Sequence, residues 1–237
     1  MSGAGTGTPA GGGGTSFVGL VDRIETVVDG TGNGVWSTVE LATFLNEAIR
    51  EYSEHFPRGL RVEIGLTAGV WRYDLPAGCL RVLEAAYPAG AFPPRYLRRW
   101  QRERRDFWLG GCYDVFEGDR HELIVGDAVA DGEGVAVVYE GLHELIEDVE
   151  AIGGFSSVPG EHEDLLVKYV IWRCSAQLQK HEEQSPTSGS SLLMSQYASN
   201  ARRDRQAYEG ALAQALYARE GRSVILSWHA GSGGRVY

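Results

Sequence analysis

The spacing of apolar residues changes period once within the stretch 36–76, and the rest of the chain is laid out around that change. Between 37 and 56, Leu41, Phe44, Leu45, Ala48, Ile49, Tyr52 and Phe56 recur every three or four positions. That spacing is the apolar stripe of an amphipathic helix. Asn46, Glu47, Arg50, Glu51 and Glu54 take the opposite face. Ser37 followed by Glu40 forms a capping box that starts the helix. Pro57 ends it, because a residue before proline is pushed out of the helical region. The chain resumes with period two, in which alternate side chains face opposite sides of a strand.

The same reading extends in both directions. Phe17, Leu20, Val21, Ile24, Val27 and Val28 predict a helix over 17–28, broken by the glycine-rich run 30–34. Strands are predicted at 61–67, 70–75, 79–87, 112–117, 121–125 and 134–140, with turns at Gly118-Asp119 and Asp131-Gly132. A helix is predicted over 159–183, opened by acidic residues that suit its positive end. After a linker at 185–189, a longer helix is predicted over 190–220, striped by Leu192, Leu193, Tyr197, Ala201, Tyr208, Leu212, Ala215 and Leu216. The expected class is α+β: a helical bundle of N- and C-terminal helices (17–58 and 155–221), an inserted small antiparallel β domain (59–154, sandwich or barrel), and an extended C-terminal arm (222–237). Residues 1–16 form a low-complexity, flexible N-terminal segment.

Composition narrows the function. A hydrophobic fraction of 43% over 237 residues supports a folded core. A net charge of −10 argues against a general nucleic-acid-coating protein, though it suits a surface that DNA must pass without sticking. Lys168 and Lys180 are the only lysines. Cys79, Cys112 and Cys174 stand in no CxxC pair and are expected to be reduced and mostly buried, in a protein made in the cytoplasm. No signal peptide or membrane span is expected.

The search for catalytic chemistry returns nothing specific. Glu161-His162-Glu163-Asp164 has metal-ligand composition, but consecutive helical residues diverge, so it reads as a solvated, capping helix start. No GxSxG or P-loop occurs. No catalytic residue, metal or cofactor is expected. Two segments instead suggest contacts. The first is basic and aromatic, with Arg95, Tyr96, Arg98, Arg99, Trp100, Arg102, Arg105 and Trp108 in an otherwise acidic chain, in a loop or short helix. It reads as a solvated loop paired with nearby acids, as a subunit or tail interface, or as a DNA contact. The second is the C-terminal arm, with Arg222, Val224, Ile225, Leu226, Trp228, His229, Arg235 and Tyr237. It either folds back on the β domain or reaches another surface.

The order of parts resembles the head-to-tail connector (adaptor) proteins of tailed bacteriophages. The residues that carry this are ELATFLNEAIREYSEHFP, then WRYDLP, LRVLEAAYP and GVAVVYEGLHEL, then VPGEHEDLLVKYVIWRCSAQLQKHEE and RRDRQAYEGALAQAL, spread over residues 17–220. The resemblance implies a structural, non-enzymatic virion protein made in the host bacterial cytoplasm. It implies a homo-oligomeric ring, usually of twelve copies, at the neck between head and tail. It further implies a portal-binding C-terminal arm, a tail or stopper protein as second partner, and double-stranded DNA passing through the channel without specific binding during genome ejection. The alternatives are another neck or tail-completion (stopper) protein, or a ligand-binding β domain or enzyme with helical flanks.

Overall fold

The computed structural model describes residues 15–29, 36–100, 111–117, 121–126, 131–184 and 190–231. Among these residues there are four helices, α1 (Phe17–Asp29), α2 (Thr38–His55), α3 (Glu163–Gln184) and α4 (Ser190–Gly231). There are seven strands, β1 (Arg58–Gly65), β2 (Arg72–Asp74), β3 (Cys79–Ala86), β4 (Arg98–Arg99), β5 (Cys112–Glu117), β6 (His121–Val125) and β7 (Gly134–Gly141). The class is α+β. The chain divides into two units, one of Met1–His55 with His143–Tyr237, the other of Phe56–Leu142. The turn expected at Gly118-Asp119, the breaker at 30–34 and the linker at 185–189 lie outside the described residues.

The helical unit forms where the periodicity placed it. Ser37 N–H donates to the Glu40 carboxylate at 2.9 Å, and Glu40 N–H donates back to the Ser37 hydroxyl at 3.3 Å, so the capping box closes as drawn. Leu41, Phe44, Leu45, Ala48, Ile49 and Tyr52 are buried along α2. Phe17, Leu20, Val21 and Ile24 of α1 and Leu165, Leu166, Val170 and Cys174 of α3 complete the core. Arg173 ties α3 to α2: its guanidinium lies 2.8 Å from the Glu47 carboxylate and 5.8 Å from the centre of the Phe44 ring.

Residues 143–154, expected with the β domain, belong to the helical unit. The reason is Asn46, placed by periodicity on the solvent face of α2. Its side-chain amide donates to the Ile146 carbonyl at 3.0 Å and accepts from the Ile146 N–H at 2.8 Å. The Ser53 hydroxyl accepts the His143 N–H at 3.0 Å and donates to the Ile49 carbonyl at 2.6 Å.

In the strand unit, one sheet runs β1-β7-β3, all antiparallel, and the other β2-β6-β5-β4. β7 is central and buried on most positions, with Val135, Val137 and Tyr139 in the core. Leu123, Val125 and Tyr113 reach the same core from the second sheet. β3 does not alternate strictly: it buries Cys79, Val82 and Ala85, because register shifts fall between Cys79 and Arg81 and between Val82 and Glu84. Gly78 has a φ of 84° in the turn before β3, a conformation side-chain-bearing residues rarely adopt, and its carbonyl accepts the Leu142 N–H at 2.9 Å.

Candidate assembly interface

The C-terminal stretch is built on α4. This helix has 42 residues, about 63 Å at the usual rise. α4 packs antiparallel on α3 in a fixed register. The Ser175 hydroxyl donates to Asp204 at 2.7 Å, the Arg205 guanidinium lies 5.7 Å from the Trp172 ring centre, and Tyr169 and Tyr208 meet edge to face at 5.3 Å. Trp172 and Tyr208 stack at 6.0 Å. Burial pushes the Tyr208 phenol upward, with Glu51 acting in the same direction. Continued at this spacing, Glu163, the first residue of α3, stands level with about residue 215 of α4. Near this level Arg219 of α4 donates to the His55 carbonyl at the end of α2.

Beyond this anchor the backbone stays helical to Gly231. The helix therefore runs 11 residues past Glu220, where the sequence placed its end. Arg222, Val224, Ile225, Leu226, Trp228 and His229 lie on a helix, which corrects the expectation that they leave it as an extended arm. Arg235 and Tyr237 lie outside the described residues. The stripe expected nearer the start of α4 also buries less than drawn: Ala201 and Tyr208 are buried, while Leu192 is 79% exposed.

The basic and aromatic segment is neither a free loop nor a helix over its described part. The Tyr87 N–H donates to the Arg95 carbonyl at 3.0 Å, Tyr96 bridges Ala86, and the Leu97 N–H donates to the Ala85 carbonyl at 2.8 Å. Leu97 is buried, so it pins the segment along the outer side of β3. Arg98 and Arg99 form β4, parallel to Cys112 and Tyr113 of β5, and the Trp100 N–H donates to the Tyr113 carbonyl at 2.7 Å. Arg95, Tyr96, Arg98 and Arg99 remain exposed, and Trp100 is half-buried. The Tyr113 phenol is pushed up by burial, with the Arg99 charge opposing that shift. Arg102, Arg105 and Trp108 lie outside the described residues. Sequence periodicity missed Phe92, which is 97% exposed just ahead of this segment. The prolines that flank it at 88, 93 and 94 were the available sign of a rigid, projecting loop.

The acidic run at the start of α3 is solvated at Glu161 and Asp164, as expected, but not at Glu163. Glu163 is only 6% exposed and accepts both the N–H and the hydroxyl of Thr15, at 3.1 and 2.8 Å. Asp164 pairs with Arg23. His162 Nδ1 lies 2.6 Å from the Tyr52 hydroxyl. These contacts fasten the N-terminal side of α1 and the end of α2 to α3, and Glu163 also sits where the helix dipole favours a carboxylate. Among the described residues no group of histidine, cysteine and carboxylate side chains is placed to hold a metal ion. Cys79 and Cys174 are buried and Cys112 is half-buried. Burial, aided by the Glu40 charge, pushes the Cys174 thiol up to about 12, so it is not a thiolate nucleophile at neutral pH.

Charge is divided unevenly between the units. The helical unit carries 11 basic and 19 acidic residues, net −8, and the strand unit 11 and 13, net −2. No helix among the described residues is long and apolar enough to cross a membrane. This arrangement offers surfaces for packing and charge repulsion. In comparison with known proteins, residues 15–230 match the family model of the SU10 adaptor protein. No curated protein matches the chain.

Proposed function

We propose that this chain, which belongs to the SU10 adaptor protein family, acts as a head-to-tail connector that forms a ring between the portal and the tail of a bacteriophage. Its family makes it a phage structural adaptor and a virion component that works by contact with other capsid or tail parts. The ring, the portal contact and the DNA channel are our reading. In that reading a ring, of twelve copies as in the connectors it resembles, surrounds DNA that passes without specific binding. The strand unit faces the tail or stopper protein.

The observation that carries the reading is the reach of α4. It continues about 16 residues, roughly 24 Å, past the level of the first residue of α3. The sequence there, Arg222 to His229, is rich in large apolar residues. An apolar helical end that outruns its own partner helix suits insertion into a groove of another protein. The net −8 of the helical unit supports the channel role, since like charge keeps DNA from adhering. The exposed residues of the basic, aromatic segment, with Phe92 ahead of it, suit a subunit or tail contact, because arginine and aromatic side chains are enriched at interfaces.

The test is a deletion. A chain lacking 222–237 is expected to fold and to lose co-purification with the portal. Unchanged co-purification would remove the portal role of this segment.

A further inference from the structure

The two edges of the sheet β1-β7-β3 are built differently. β3 has two breaks in register, and its outer side is occupied by the backbone of 95–97. β1 pairs with β7 without a break over eight residues, from Arg58 opposite Gly141 to Gly65 opposite Gly134. Over residues 59–65, among the described residues, no strand or backbone group pairs with its other side. β1 also contains no proline or bulge to blunt it against pairing, and its charges are of both signs, Arg58, Arg61 and Glu63. Leu60, Val62 and Ile64 face the core yet stay half-buried, so the core is open along this edge. Arg61 and Glu63 lie exposed on the other face, and neither has an ion pair among the described residues.

The strand itself indicates what fits there. Read as Gly59-Leu60-Arg61-Val62-Glu63-Ile64-Gly65, it is self-complementary about Val62. A second copy laid antiparallel and centred on Val62 sets Gly59 against Gly65, Leu60 against Ile64, and Arg61 against Glu63, each pair twice. Opposite charges and aliphatic side chains placed directly across antiparallel strands attract. A slip of two residues either way sets Arg61 against Arg61 or Glu63 against Glu63, and a slip of one exchanges the two faces. The charges therefore select one register. We propose that the free protein pairs with a second copy of itself through β1, joining two three-stranded sheets into one. Such a contact closes at two copies and cannot propagate around a ring. It belongs to the protein before assembly and stands or falls apart from the adaptor reading.

The test uses the full chain at micromolar concentration, with mass read by light scattering. The wild type is expected to be a dimer. Arg61→Glu, and separately Glu63→Arg, put like charges opposite each other twice and should weaken the dimer by about ten-fold or more. The double variant Arg61→Glu/Glu63→Arg should restore it. Both side chains are exposed, so all three variants should stay folded, with the single reversals melting no higher than the wild type and the double variant melting like it. A monomeric wild type would overturn the proposal, as would a dimer indifferent to the single reversals or one not restored by the double.

Discussion

Ser37 and Glu40 are exposed, yet their reciprocal hydrogen bonds fix where α2 begins. Ser37→Ala should cost about 1 kcal/mol, seen as a lower urea midpoint with an unchanged slope. The Glu40 carboxyl is held below its ordinary 4.5 by the Ser37 backbone N–H first and the Ser37 hydroxyl second. A depressed carboxyl stabilises the fold above the unfolded value and loses that effect as pH falls through the folded one. Glu40→Gln should flatten that part of the acid profile. The cysteines give an alkaline counterpart. Cys174 rises from 9.0 to about 12, so above pH 9.0 the unfolded chain ionises first and the fold loses stability as pH climbs toward 12. A thiol reagent at neutral pH should therefore modify Cys112 before the buried Cys79 and Cys174, which should react only on unfolding. Faster reaction at Cys174 would contradict its placement in the core. Residue roles of this kind were partly legible. The capping box and the burial of two thiols follow from sequence alone, whereas Glu163 did not. Its partner Thr15 is 148 positions away, and no local pattern reports such a pairing.

The elements themselves were legible wherever one face is apolar. Three helices, the start of the fourth and the six longer strands sit within a few residues of the periodicity that predicts them, because burial of a stripe decides each. β4 was missed because its two residues pair with β5 only through tertiary folding, and two residues carry no period. The far end of α4 was misjudged for a different reason. Gly221 resembles a stop, and the β-branched pair Val224-Ile225 resembles a strand. Extending an existing helix past a glycine costs only about 1 kcal/mol, far less than starting a new element. The placement of 143–154 turned on Asn46, a polar residue on a face taken for solvent that bonds Ile146 in both directions. The prediction at this scale is the deletion of 222–237: α4 should keep its packing on α3, since the contacts that fix its register, at Asp204, Arg205, Tyr208 and Arg219, all precede the deleted segment. The melting temperature should therefore change little while portal binding is lost.

At the scale of the molecule, the two units contribute different properties. The helical unit holds most of the excess negative charge and the long α4, while the strand unit presents the exposed arginines, Tyr96 and Phe92. In the proposed reading these are two unlike contacts, a helical segment suited to a partner groove and an exposed arginine-aromatic surface, as head-to-tail association between unlike faces requires. The proposed pairing through β1 is a separate, self-complementary contact within the strand unit. The measurement that tests the central claim most directly is the mass of the full chain mixed with purified portal, by light scattering, against portal alone. A stable complex heavier than the portal by a ring of copies of this 25.9 kDa chain is expected. A mixture that resolves into unmodified portal and free protein would contradict it.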